Sequence, residues 1–189
     1  MLALVVCVSY ALGCFAPGWL LVRRRTGADL RDTGSGGTGA TNAARVLGGG
    51  GFLIVLLLDA GKAVLALALA RWLLPDDPWS AVALPAVVAG HIWPAPLRFR
   101  GGRGAGPFLG GCLMLNPLFA AAAAIPAAIA ATFTRRSLYI TTSAAMGGIV
   151  CAWWLLPGAP ARVAFGVALL FVVLAHRTHF MRALHRPAP

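Results

Sequence analysis

The 189-residue chain is 59% hydrophobic and 11% charged, with a mean hydropathy of +0.81, where an average soluble domain is roughly 25% charged. It carries five Asp, no Glu, one Lys (Lys62) and fifteen Arg, for a net charge of +11. That balance excludes a soluble globular enzyme, a disordered chain and a coiled coil, and it describes an integral membrane protein with basic residues in short loops between apolar runs.

Leu2 to Val22 is nearly all apolar and ends in Arg23-Arg24-Arg25. A secretory signal carries its charges before the apolar run, so this reads as a retained spanning helix with the N-terminus outside and the arginines in the cytoplasm. Thr26 to Gly51 is the longest polar segment and is rich in glycine; long loops of special backbone chemistry usually carry function. Phe52 to Leu74 is a second span. Its Asp59 and Lys62 lie three residues apart, on one helical face, either as a structural ion pair or at the edge of a polar site. The loop with Arg71, Asp76 and Asp77 is acidic and falls outside.

Trp79 to Leu97 is a third span, broken near its end by Pro94 and Pro96. His91 reads as a hydrogen-bonded structural residue near a helix end. Arg98 to Gly106, RFRGGRGAG, returns to the cytoplasm. Pro107 to Phe133 would be about 40 Å long as one helix, against a hydrocarbon core of roughly 30 Å, and Asn116-Pro117 interrupts it. The charge rule prefers folding there into two short passes, which keeps Arg135 and Arg136 inside. Ile140 to Leu156 and Ala161 to Ala175 complete an all-α, polytopic, single-domain chain (1–189). It has about seven segments, two of them short, N-terminus outside and C-terminus cytoplasmic. Thirteen of the sixteen basic residues then share one side, the exceptions being Lys62, Arg71 and Arg162. Five spans with a kinked fourth is the alternative. The four cysteines form no CxxC pair and read as small buried hydrophobes.

Three cytoplasmic segments and the tail hold groups suited to phosphate. GSGGTGATN (Gly34–Asn42) precedes Arg45: glycines let backbone N–H groups converge on an anion, hydroxyls add donors, and a guanidinium adds a planar fork. The same loop could be a plain turn-forming linker. GGRGAG (Gly101–Gly106) with Arg103 is a second such nest or a positive-inside cluster, and it is not a Walker A loop. Arg135 to Ser143 either anchors a span or adds hydroxyls. His176 and His179 share a helix face and could shuttle a proton or bind a metal, or be solvated tail residues. No histidine has an aspartate at the spacing of an H-x-x-x-x-D acyltransferase motif, and no Glu exists to build a carboxylate pair. An enzyme built from these residues works through anion binding and electrostatic stabilisation.

Taken together, DTGSGGTGATNAARVLG, LLLDAGKA, AGHIWPAPLRFRGGRG and HRTHFMR resemble, in order and spacing, the bacterial acyl-phosphate:glycerol-3-phosphate acyltransferase family (PlsY) over nearly the whole length. The resemblance implies a seven-helix enzyme of the bacterial inner membrane with its active site facing the cytoplasm. It implies transfer of an acyl group from acyl phosphate to the sn-1 hydroxyl of glycerol 3-phosphate, in phospholipid biosynthesis, with no metal or other cofactor. The partners implied are the two substrates and the bilayer, without nucleic acid, and a substrate phosphate acts as the base. By position, His176, His179 and Arg45 would be catalytic. Ser35, Gly36, Thr41, Asn42, Arg45, Gly101, Gly102, Arg103, Gly104, Thr142 and Ser143 would bind substrate phosphate. The chain departs from the family pattern at Gly37 and His179, where Asn is usual, at Arg103, where Lys is usual, and near Pro107, where a Thr is usual. Those departures keep a second reading in view: action on another phosphorylated acceptor, or a non-catalytic anion binder or small transporter.

Overall fold

Pro17 divides the first apolar run. A computed structural model of the chain has α1 over Leu2–Cys14 and α2 over Pro17–Thr26, with Phe15 extended (φ −62°, ψ 116°) between them. Proline lacks an N–H and drives the residue before it out of the helical region, so the expected single helix becomes two. The structure describes residues 1–118, the helical positions 121, 125, 128, 129, 132 and 133, and residues 154–156 and 158–184, with side chains through 177. Thr142, Ser143, Arg135, Arg136 and the His179 side chain lie outside the described residues.

The second helix also differs from its expected bounds. α3 runs from Ala40 to Leu73, with one non-helical residue, Gly48 (φ 70°, ψ −168°). The latter part of the glycine-rich loop is therefore helical, and Gly48 supplies the left-handed step that re-aims the chain into the span. A short 3₁₀ turn (Pro78–Val82) leads into α4, Ala83–Ile92. α5 covers Ala105–Leu115. Asn116 ends it in an extended conformation (φ −163°, ψ 119°), donates to Leu155 O at 2.8 Å and accepts from Leu118 N at 2.9 Å. The long fourth run is thus not one straight helix. α6 spans Gly158–Leu184.

All regular structure among the described residues is helical. Four stretches there are long and apolar enough to cross a membrane: Leu2–Thr26, Ala40–Leu73, Pro78–Leu97 and Gly158–Arg177. Their outward faces are apolar, as with Leu53, Ile54, Leu57 and Leu58 on α3 and Leu170, Val173 and Leu174 on α6, which suits lipid. Inside, Val5, Leu67, Leu84, Val88, Ile92, Ala168 and Val172 form the cluster where α1, α3, α4 and α6 meet. Of the cysteines, Cys112 is buried as expected, but Cys7 is exposed and Cys14 half-buried; Cys151 lies outside the described residues.

Small residues set how closely the helices approach, as is usual where lipid removes the hydrophobic drive between helices. A Cβ on Gly13 would strike Val87 O, and one on Gly90 would strike Tyr10 O, so α1 and α4 touch backbone to backbone. Gly110 of α5 lies in the same way against Ala60 of α3. Gly90→Ala has no flexible side chain to displace, and overpacking of this kind costs about 1–3 kcal/mol. The variant is expected to melt several degrees below the parent in detergent, as read by a thermal-stability scan.

Candidate active site

The first loop is shaped from within. Leu30 is fully buried beneath it, in a cluster with Val22, Ala43 and Val55. Asp29 caps the short turn Leu30–Asp32 by accepting from Arg31 N at 2.9 Å. The Arg31 guanidinium beside Asp29 holds its carboxyl well below the usual carboxylate range. Gly34 (φ 52°) and Gly36 (φ 71°) take left-handed steps, and a Cβ on Gly34 would collide with Arg45 and Asn42.

Asn42, in the first turn of α3, is the hub. Its amide donates to Leu30 O (3.0 Å), Thr33 O (3.1 Å) and Gly37 O (2.8 Å), and its oxygen accepts from Ser35 N (3.0 Å). The side chain expected at substrate phosphate is buried and committed to the loop itself. What remains open at this end of α3 is Ser35, half-buried, Thr41 and Arg45, both exposed, and the helix N-terminus. A helix N-terminus favours an anion through its unbonded N–H groups and dipole. Arg45 is held only loosely within the loop, with Nη1 3.5 Å from Asn42 Oδ1.

The second loop folds back on α4. Arg98 and Phe99 adopt left-handed conformations (φ 54° and 59°). Gly101 N then donates to Ile92 O at 3.1 Å and Gly102 N to His91 O at 3.0 Å, which satisfies carbonyls that a helix end leaves open. The expectation that Gly101 and Gly102 offer N–H groups to an anion is corrected here: both donate to α4. Their role is steric, since a Cβ on either would run into His91 or its neighbours. Gly104 (φ 84°) caps α5, so this loop too ends at a helix N-terminus, with half-buried Arg103 beside it.

The two loops meet. Thr38 N approaches Gly101 O at 3.4 Å, Arg103 Nη2 donates to Ser35 O at 3.3 Å, and Arg31 Nη1 donates to Leu97 O at 2.9 Å. Of the residues expected at the site, Ser35, Gly36, Gly101, Gly102 and Arg103 thus lie in contacting loops, and Arg45 and Thr41 stand at the α3 end of the first. α6 adds His176. It is buried, and its Nδ1 lies 2.8 Å from Val172 O. A carbonyl at Nδ1 demands the N–H tautomer there, which leaves Nε2 as the acceptor. Val172 itself packs where a Cβ on Gly104 would stand.

Behind the loops lies a polar cluster that spacing alone only half revealed. Lys62 Nζ is 2.9 Å from Asp59 Oδ1 and 2.8 Å from His91 Nδ1, and His91 Nδ1 is 3.2 Å from Asp59 Oδ1. Lys62 also donates to Gly13 O (3.1 Å) and Phe15 O (2.8 Å), at the break between α1 and α2. The Asp59–Lys62 pair was visible as an i, i+3 spacing; His91 joins it from another helix, and only tertiary packing brings it there. Among the described residues no group of His, Cys and acidic side chains has the arrangement of a metal site.

Residues 3–186 match the family model for glycerol-3-phosphate acyltransferase. The chain is 39% identical to glycerol-3-phosphate acyltransferase 1 of Desulfitobacterium hafniense, over 94% of this chain and 88% of that relative. It is 38% identical to the glycerol-3-phosphate acyltransferase of Myxococcus xanthus, over 98% and 97%. Its fold superposes on the crystal structure of PlsY, an integral membrane glycerol 3-phosphate acyltransferase in its glycerol 3-phosphate form. The TM-score is 0.89 at 25% identity, covering 99% of this chain and 96% of that one. A backbone that agrees this closely along its whole length, with relatives at this identity, places the chain in the glycerol-3-phosphate acyltransferase (PlsY) family.

Proposed function

We propose that this protein transfers an acyl group from acyl phosphate to the sn-1 hydroxyl of glycerol 3-phosphate, giving lysophosphatidate and phosphate. The observation that carries the reading is the meeting of two glycine-shaped loops, each ending at a helix N-terminus and each bearing an arginine, with a buried histidine beside them. Two phosphate-bearing substrates need two such anion sites side by side.

Glycerol 3-phosphate is gripped by Arg45, Ser35, Thr41 and the N-terminus of α3. The phosphate of the acyl donor lies at Arg103 and the N-terminus of α5, with Thr142 and Ser143 as further ligands. Asn42, Gly36, Gly101, Gly102 and Gly104 give the loops their shape. The sn-1 oxygen attacks the acyl carbonyl carbon, the carbon–oxygen bond to phosphate breaks, and the hydroxyl proton passes to a phosphate oxygen. His176 stands beside the reacting hydroxyl and orients the attack, with His179 on the same helix as its neighbour. Arg103 stabilises the charge that builds on the carbonyl oxygen and the leaving phosphate. Phosphate leaves readily from an acyl phosphate, so positioning supplies most of the rate, and no cofactor is called for.

The charge pattern supports one domain of about seven segments in the bacterial inner membrane, N-terminus outside, with the loops and the C-terminus in the cytoplasm. The assay is purified protein with palmitoyl phosphate and radiolabelled glycerol 3-phosphate. Equal amounts of lysophosphatidate and phosphate, with no product from palmitoyl-CoA, are expected. No product beside an active family member, or product from the thioester alone, contradicts the reading.

A further inference from the structure

We propose that His91 is a positioning residue for acyl transfer: its imidazole is clamped on one edge by the buried Asp59–Lys62 pair and supports Gly102 on the other, fixing the stretch of loop that carries Arg103. The proposal rests on the acyl-transfer reading above for its kinetic readout, and on the structure alone for its binding readout.

His91 is 4% exposed and its Nδ1 edge is occupied by Lys62 Nζ at 2.8 Å and Asp59 Oδ1 at 3.2 Å. It accepts from the ammonium with the Asp59 carboxylate alongside, which holds the ring in one orientation. The opposite edge faces Gly102. The three atoms nearest to where a Gly102 Cβ would stand are His91 Nε2, Cε1 and Cδ2. The main chain of the same residue also engages this glycine, because Gly102 N donates to His91 O at 3.0 Å.

The far end of the loop rests on the same cluster. A Cβ on Gly106 would lie 2.8 Å from Asp59 Cβ. Gly102 on His91 and Gly106 on Asp59 therefore bracket Arg103, whose Nη2 reaches Ser35 O in the first loop. Lys62 extends the platform to the α1–α2 break through Gly13 O and Phe15 O. A buried ion pair is often no better for stability than apolar packing of the same volume. Its geometric specificity is what a phosphate loop, sensitive to shifts of about 1 Å, needs from its foundation.

His91→Asn tests this. The amide still meets Lys62 and Asp59, while the ring edge under Gly102 is withdrawn. KM for palmitoyl phosphate is expected to rise about tenfold, with KM for glycerol 3-phosphate changed less than about twofold. A merely structural role lowers the active fraction, and so kcat, and leaves both KM values unchanged. Gly102→Ala presses on the same ring edge from the other side. Alone it is expected to raise the same KM, and in the His91→Asn background to add little, because its collision partner is gone. Affinity for hexadecyl phosphate, measured by calorimetry, reads the same coupling without turnover and is expected to weaken about tenfold in His91→Asn and in Gly102→Ala. An unchanged donor KM and hexadecyl phosphate affinity in the folded variants, or fully additive effects, overturns the proposal. Absence of lysophosphatidate from the parent protein overturns the acyl-transfer reading instead, and the hexadecyl phosphate affinities then decide the positioning role.

Discussion

Arg45→Ala is expected to lower kcat/KM for glycerol 3-phosphate about a hundredfold while leaving the folded protein intact. The side chain is exposed, its one internal side-chain hydrogen bond is the 3.5 Å approach to Asn42 Oδ1, and it otherwise lies against Gly34, so little of the fold depends on it. Its worth lies in the substrate. A charge-assisted hydrogen bond to phosphate contributes about 1.5–3 kcal/mol, and the guanidinium fork makes two such bonds to one phosphate. Most of the loss falls on KM for glycerol 3-phosphate, with the palmitoyl phosphate KM nearly unchanged. His176→Ala is the companion case with the opposite signature. On the proposed reading the imidazole orients the attacking hydroxyl, so kcat is expected to fall about a hundredfold and both KM values to hold. Steady-state kinetics on the two purified variants separates binding from orientation. A parent-like rate in either removes that residue from the site.

Lys62→Met is expected to be the most damaging single change to the fold. Lys62 is 6% exposed and Asp59 2% exposed, and the ammonium alone bridges the carboxylate to the open carbonyls of Gly13 and Phe15. Removing one member of a buried pair leaves an uncompensated charge, at a cost of about 3–5 kcal/mol. The variant is expected to aggregate or lose its size-exclusion peak in detergent. Asp59→Leu combined with Lys62→Met removes both charges and should recover much of the folded yield. Full recovery is not expected, because two helix-end carbonyls still lack their donor. A Lys62→Met protein as stable as the parent would show that the pair does not hold these helices together.

Among the described residues the apolar runs marked the four helices long enough to cross a membrane, because lipid leaves a chain few choices: its backbone must be internally bonded and its outer face apolar. Both glycine loops were legible for a related reason, since left-handed steps at Gly34, Gly36 and Gly104 demand glycine. Other features were hidden. The N-terminal break at Phe15 has its local cause in Pro17, but its satisfaction comes from Lys62, more than forty residues away in sequence. The start of α3 at Ala40 was masked by glycine-rich composition that reads as loop. Asn42 and the N–H groups of Gly101 and Gly102 looked available to phosphate because sequence lists donors without their partners, and those partners proved to be the loop and α4. His91 carried no local sign of its tie to Asp59 and Lys62, since residues on different helices share no periodicity.

The proposed glycerol 3-phosphate site combines the glycine-rich loop and the α3 N-terminus at Ser35 and Arg45. Calorimetric titration of the purified protein with glycerol 3-phosphate tests it without depending on turnover. One site per chain is predicted, weakened about a hundredfold by Arg45→Ala and unaffected by Arg71→Ala, which removes an arginine on the other flank of the fold. Equal binding by the parent and Arg45→Ala, or no binding by the parent, would contradict it.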